Sequence, residues 1–122
     1  MIESDVHAVL IAASAVTAIV AQRVAAGVLP EGESRPYVTY SLISGERIGS
    51  MTDSGLMRHA RIQLNCWSPN YGVTKQIALA VQAAIEASAL FDVVFIGDQD
   101  LYDPETKLFY AVLDYSVWQL TA

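Results

Sequence analysis

The residues able to do chemistry are few and lie apart. His7 and His59 are the two histidines and Cys66 the single cysteine. Neither histidine has a cysteine or a second histidine at the spacing of a tetrahedral zinc site. Asp98, Asp100 and Asp103 form the one acidic cluster. Carboxylates on a loop can hold a hard cation, but this spacing lacks the central glycine and distal glutamate of a calcium loop. The cluster therefore reads as a solvated turn. The stretch Ser44–Met57 carries Gly45, Gly49 and Gly55 but no Gly-Lys-Ser/Thr, so it is not a phosphate loop. Ser50 and Ser54 do not sit in a strand–turn–helix elbow that would expose a nucleophile, and no pair of carboxylates flanks an expected cleft. A lone thiol cannot form an internal disulfide, and Cys66 falls on an apolar strand face, where it reads as a small buried hydrophobe. These residues point to no reaction, no metal and no cofactor: the chain reads as a non-enzyme.

The elements that would position these residues are organised around Arg58–Ser68, RHARIQLNCWS. Ala60, Ile62, Leu64 and Cys66 share one side of this stretch. His59, Arg61, Gln63, Asn65 and Trp67 share the other. A period of two marks a strand with one face in a core. The second face mixes a cation, two amides and an indole, a composition suited to contact with another protein. Before it, residues from about Ser4 to Val24 read as one apolar helix. Ser4 is the expected N-cap, and Val6, Leu10, Ala13, Thr17 and Val20 form its stripe. Gly27 and Pro30 end it. Pro36–Ile43 reads as a strand, and Ser44–Met57 as a long hairpin tip. Beyond the central strand, Tyr71–Ala89 reads as an amphipathic helix and Phe91–Gly97 as a short strand. Gly97–Thr106 reads as an acidic turn and Leu108–Leu120 as a last strand.

The expected order is α-β-β-α-β-β. The fold class is α+β, a two-layer sandwich with two helices on one face of a four-stranded, mostly antiparallel sheet. With the longest apolar strands placed centrally, the strand order is first, second, fourth, third. No linker or composition break divides residues 1–122, so one domain is expected. The face left uncovered carries Tyr37, Arg61, Trp67, Tyr110, Asp114 and Trp118.

Totals narrow the function classes. The chain has 122 residues, 53% hydrophobic and 16% charged; about 25% charged is usual. So uncharged a surface suits cover by partner subunits. The net charge of −6 and pI near 4.6 argue against a protein that grips phosphates, and suit a surface past which a polyanion slides. The apolar run Ala8–Ala21 falls short of the ~20 residues that a membrane span needs. Glu3 and Asp5 stand where a signal peptide would be basic. The chain reads as soluble and intracellular.

The succession of short motifs resembles the tail completion, or tail terminator, proteins of long-tailed phages. It comprises an apolar helix ending in Gln22-Arg23-Val24, then Pro36-Tyr37-Val38-Thr39-Tyr40, then Arg61-Ile62-Gln63-Leu64-Asn65-Cys66-Trp67, then the alanine-rich helix from Tyr71. Tyr115 and Trp118 match in pattern. The resemblance implies a virion structural protein of the neck. It implies a ring, usually a hexamer, that caps the head-proximal end of the tail tube, stops its polymerisation and offers a docking face to the head connector or stopper protein. DNA would pass through without sequence-specific binding, and assembly would take place in the host cytoplasm. The family carries no catalytic residues to transfer. On this reading the hairpin tip, with Glu46, Arg47, Ile48, Met51 and Asp53, reaches neighbouring rings. Tyr37, Arg61, Gln63, Trp67, Asp114 and Trp118 serve subunit–subunit contact. The competing readings are another head–tail joining or minor tail protein, and a small-molecule-binding domain of the ferredoxin-like type.

Overall fold

The alternation at Arg58–Ser68 becomes the central strand of a sheet, with Ala60, Ile62, Leu64 and Cys66 almost wholly buried beneath helices. The structure, a computed structural model, describes residues 2–28, 30–48 and 57–120. Its elements are α1 (Ile2–Ala12), α2 (Ser14–Val20), β1 (Val24–Ala26), β2 (Tyr37–Ile48), β3 (Met57–Ser68), α3 (Tyr71–Ala87), β4 (Asp92–Asp103) and β5 (Leu108–Leu120). The sheet has five strands in the order β1-β2-β3-β5-β4. β1 runs parallel to β2, and every other pair is antiparallel. The α+β class stands, and the four expected strands keep their order within a larger, mixed sheet.

Several boundaries differ from expectation. The first helix is two helices, bent by 81°, with Ala13 extended between them (φ −82°, ψ 112°). Neither Gly nor Pro marks the break, so packing imposes it. Ile2, Val6 and Leu10 bury one helix; Val16 and Val20 bury the other, which lies against α3. Ser4 lies inside α1 rather than capping it. Val24, expected as the helix end, starts β1, the fifth strand. Arg23 fixes this corner: its Nε donates to Pro36 O at 2.8 Å and its Nη2 to Ile19 O at 3.4 Å.

β2 extends past Ile43 to Ile48, through a bulge between Leu42 and Ser44. Much of the expected hairpin loop is therefore ladder. The expected acidic turn is mostly strand, because β4 continues to Asp103 against β5. Asp98 and Asp100 pair with Leu113 and Ala111, and the β5 ladder overrides the low strand propensity of aspartate. α3 starts at an Asn70 cap whose Oδ1 accepts the Val73 N–H at 3.1 Å. It ends two residues before the expected Ala89.

The core lies between the helices and one sheet face. Ile77, Val81 and Ile85 of α3 meet Leu64, Leu113, Tyr115 and Val117 there. Among the described residues no single helix is long and apolar enough to cross a membrane, and the apolar faces of α1 and α2 are spent on this core.

Candidate functional site

The opposite sheet face carries no helix. Period two along three neighbouring strands brings the expected contact residues together on it. Tyr37 pairs with Trp67, Gln63 with Asp114, and His59 with Trp118. Two stacked aromatic pairs dominate the face. Trp67 lies on Tyr110 with centroids 4.4 Å apart, and His59 on Trp118 at 4.6 Å. Trp67 Nε1 donates to Thr39 Oγ1 at 3.0 Å, on a threonine that is only 1% exposed. Asp114 collects two partners: Gln63 Nε2 donates to Oδ1 at 3.4 Å, and Arg61 Nη2 lies 3.7 Å from Oδ2. His59 Nε2 lies 3.2 Å from Ser116 Oγ. Tyr37, Gln63, Trp67, Asp114 and Trp118 are half-buried, and Arg61 is exposed.

Over one end of this face the β1–β2 crossover forms a wall. With the β4–β5 end it bounds an open groove of about 1000 Å³. Trp67 and Tyr110 form its floor, beside the amides of Gln63, Asn65 and Gln99. Glu31, Glu33, Asp103 and Glu105 line its rim, and no lysine, arginine or histidine joins them among the described lining residues. Arg35 holds Glu33 through its side chain at 2.9 and 3.1 Å and through its backbone N–H at 3.0 Å. These bonds lower the Glu33 pKa to about 2. Aromatic planes, amides and carboxylates can hold a polypeptide segment by stacking and hydrogen bonding. Such a groove supplies no activated nucleophile.

The remaining chemistry-bearing residues are structural. Cys66 is fully buried, and burial pushes its thiol up to about 12. His7 Nδ1 lies 3.1 Å from the Tyr40 hydroxyl. The acidic cluster lies on a strand rather than a turn: Asp98 and Asp100 are exposed on β4, and Asp100 accepts from Tyr71 OH at 2.9 Å and from Lys75 Nζ at 3.0 Å, joining α3 to β4. Burial raises the Asp100 pKa, but the bonds from Lys75 and Tyr71 outweigh it and hold the carboxyl below its ordinary range. Among the described residues, no three His, Cys, Asp or Glu side chains gather as a metal site would require.

Of the expected tip residues, Glu46, Arg47 and Ile48 lie in β2, paired with His59, Arg58 and Met57. Met51 and Asp53 lie outside the described residues. Sequence reading missed the crossover wall and the Asp100 link, which depend on contacts far apart in the chain. The outward position of Gln99 and Leu101 was masked by reading their stretch as a turn.

Comparison with known proteins completes the description. The family model "Tail completion protein gp17" matches residues 4–120. The comparison with curated proteins finds no match. Among solved structures, a chain of the "Virion of native gene transfer agent (GTA) particle" superposes with a TM-score of 0.69 at 18% identity. The match covers 94% of this chain and 91% of that chain. At this identity the likeness is one of fold.

Proposed function

The chain belongs to the tail completion protein gp17 family, and from that premise we propose that it forms a ring closing the head-proximal end of a phage tail tube. The ring stops tube polymerisation and gives the head connector or stopper protein a surface to dock on, and DNA passes through its lumen. The family match over residues 4–120 carries this reading. The uncovered sheet face supplies the surface that it needs. A sheet clothed by helices on one side leaves a broad face rich in aromatics and amides, which is interface composition.

Tyr37, Arg61, Gln63, Trp67, Asp114 and Trp118 belong to the contact between copies. The β2–β3 hairpin end, with Glu46, Arg47, Ile48, Met51 and Asp53, reaches the tube below or the connector above. The formal charge of −6 keeps passing DNA from adhering, since like charges repel. The protein acts as a virion component, assembled in the host cytoplasm, and its partners are its own copies, the tube protein and the connector.

Tails assembled without the protein test the role. Electron microscopy should show tubes of excessive and variable length, with no heads attached. Tubes of normal length that lack only heads would contradict termination and favour a joining role.

A further inference from the structure

Among the described residues, two edges of the sheet are open, and they match. β1 covers β2 only at Val38–Tyr40, where Gly27 N donates the last bond to Tyr40 O at 2.9 Å. Beyond Tyr40, no described strand pairs with the outer side of β2. At the other edge, no described strand pairs with the outer side of β4. Proteins usually blunt such edges with charged side chains, above all lysine, with proline or with bulges; here each edge has a bulge, but an apolar residue occupies it. Neither 41–48 nor 92–97 contains lysine or proline. Both edges instead expose apolar side chains: Leu42 and Ile43 on β2, Val94, Phe95 and Ile96 on β4.

The two apolar segments stand at one level of the sheet. Leu42 pairs with Ile62, Ile62 with Tyr115, and Tyr115 with Phe95, which makes one rung across four strands. Each edge strand carries a single extra residue beside that rung. Ile43 lies between Leu42 and Ser44, and Ile96 between Phe95 and Gly97. These isoleucines are 51% and 47% exposed. A bulge turns its extra residue out of the ladder, and here both bulges present an isoleucine. β2 and β4 also run in opposite directions, so residues 92–96 of one copy can continue the antiparallel order along 41–45 of another, short of the Val38–Tyr40 stretch that β1 covers.

We propose that neighbouring copies meet edge to edge, with Val94–Ile96 of β4 in one copy lying antiparallel against Leu42–Ile43 of β2 in the next. This deepens the ring reading and rests on it. The contact is head-to-tail, and repeated with a constant rotation it closes a ring. It adds backbone pairing and apolar burial at the edges. It also sets the open faces of successive copies side by side. Of the face residues assigned to contact between copies, Arg61 then flanks the seam from one copy, and Trp118, which pairs with Asp92, flanks it from the other. Tyr37, Gln63, Trp67 and Asp114 stay on the shared open face.

The double variant Ile43→Cys with Ile96→Cys tests the seam. Within one copy these positions lie on outer strands three spacings apart, about 14 Å, beyond disulfide reach. Any bridge therefore joins two copies, and Cys66 is too buried to interfere. Mild oxidation should give a ladder of multimers up to the full ring on a non-reducing gel. Each single variant should give no ladder. Ile96→Arg should abolish rings in light scattering while circular dichroism and Tm stay those of the monomer. Rings formed by the double variant without any ladder would overturn the edge contact and leave the ring reading standing. Wild-type protein that stays monomeric at every concentration, together with a double variant that gives no ladder even in assembled tails, would overturn both.

Discussion

Tyr115 places a hydroxyl in the core where no described residue hydrogen-bonds it. The side chain is 0% exposed, and its oxygen has no hydrogen-bond partner among the described residues. Burial, the largest cause, pushes its pKa up. An unpartnered buried hydroxyl costs roughly 1–3 kcal/mol, so Tyr115→Phe should stabilise the protein by about 1 kcal/mol in urea denaturation. Glu33 shows the opposite case on the surface. Its carboxyl, ordinarily near 4.5, is lowered to about 2 by Arg35. A carboxylate depressed in the folded state contributes stability above its ordinary pKa and loses it as pH falls through the folded value. Carboxyl NMR should therefore find Glu33 titrating near 2, and Arg35→Ala should return it towards 4.5. The tryptophans separate folding from contact. Trp67→Ala strips the buried Thr39 hydroxyl of its donor and should cost roughly 2–3 kcal/mol. Trp118→Ala loses a stack on His59, about 1 kcal/mol, and should impair assembly, read by light scattering, far more than Tm. Which face each tryptophan occupies follows from period two; what its indole N–H bonds does not, since Thr39 lies 28 residues away.

At the level of elements, legibility tracks how local the cause is. Leu108–Leu120 stands at its expected bounds because its alternation is unbroken. The helix break at Ala13 has no sequence signal: alanine is the best helix former, and the bend arises where α2 must lie on α3. β1 escaped notice because three residues of Val-Ala-Ala are too few to show a period. β4 was cut short because Asp98, Asp100 and Asp103 look like turn residues, while the ladder from β5 and the Lys75 contact decide otherwise. The corner between α2 and β1 holds strain. Ala21, ending α2, sits at φ 53°, ψ −120°, a conformation that a Cβ disfavours and glycine accepts. Relief of that strain, less the extra chain entropy glycine loses on folding, means Ala21→Gly should raise stability by about 1 kcal/mol, seen as a higher Tm.

For the whole molecule, composition and pattern sufficed for an α+β domain with one face left uncovered. No residue cluster announced a role, because a structural part of a virion needs surfaces rather than reacting groups. The role entered through the likeness of several short motifs and through the family match over residues 4–120. What the fold adds is where those surfaces lie: helices on one side, stacked aromatics on the other, and two apolar edges between them. The central claim is that copies of this chain encircle the end of the tube nearest the head. Image reconstruction of the neck in intact particles measures that directly. The account predicts one closed ring of this fold between the last tube layer and the connector, with an open lumen. A single copy in the neck, or a ring lodged at the far end of the tail, would contradict it.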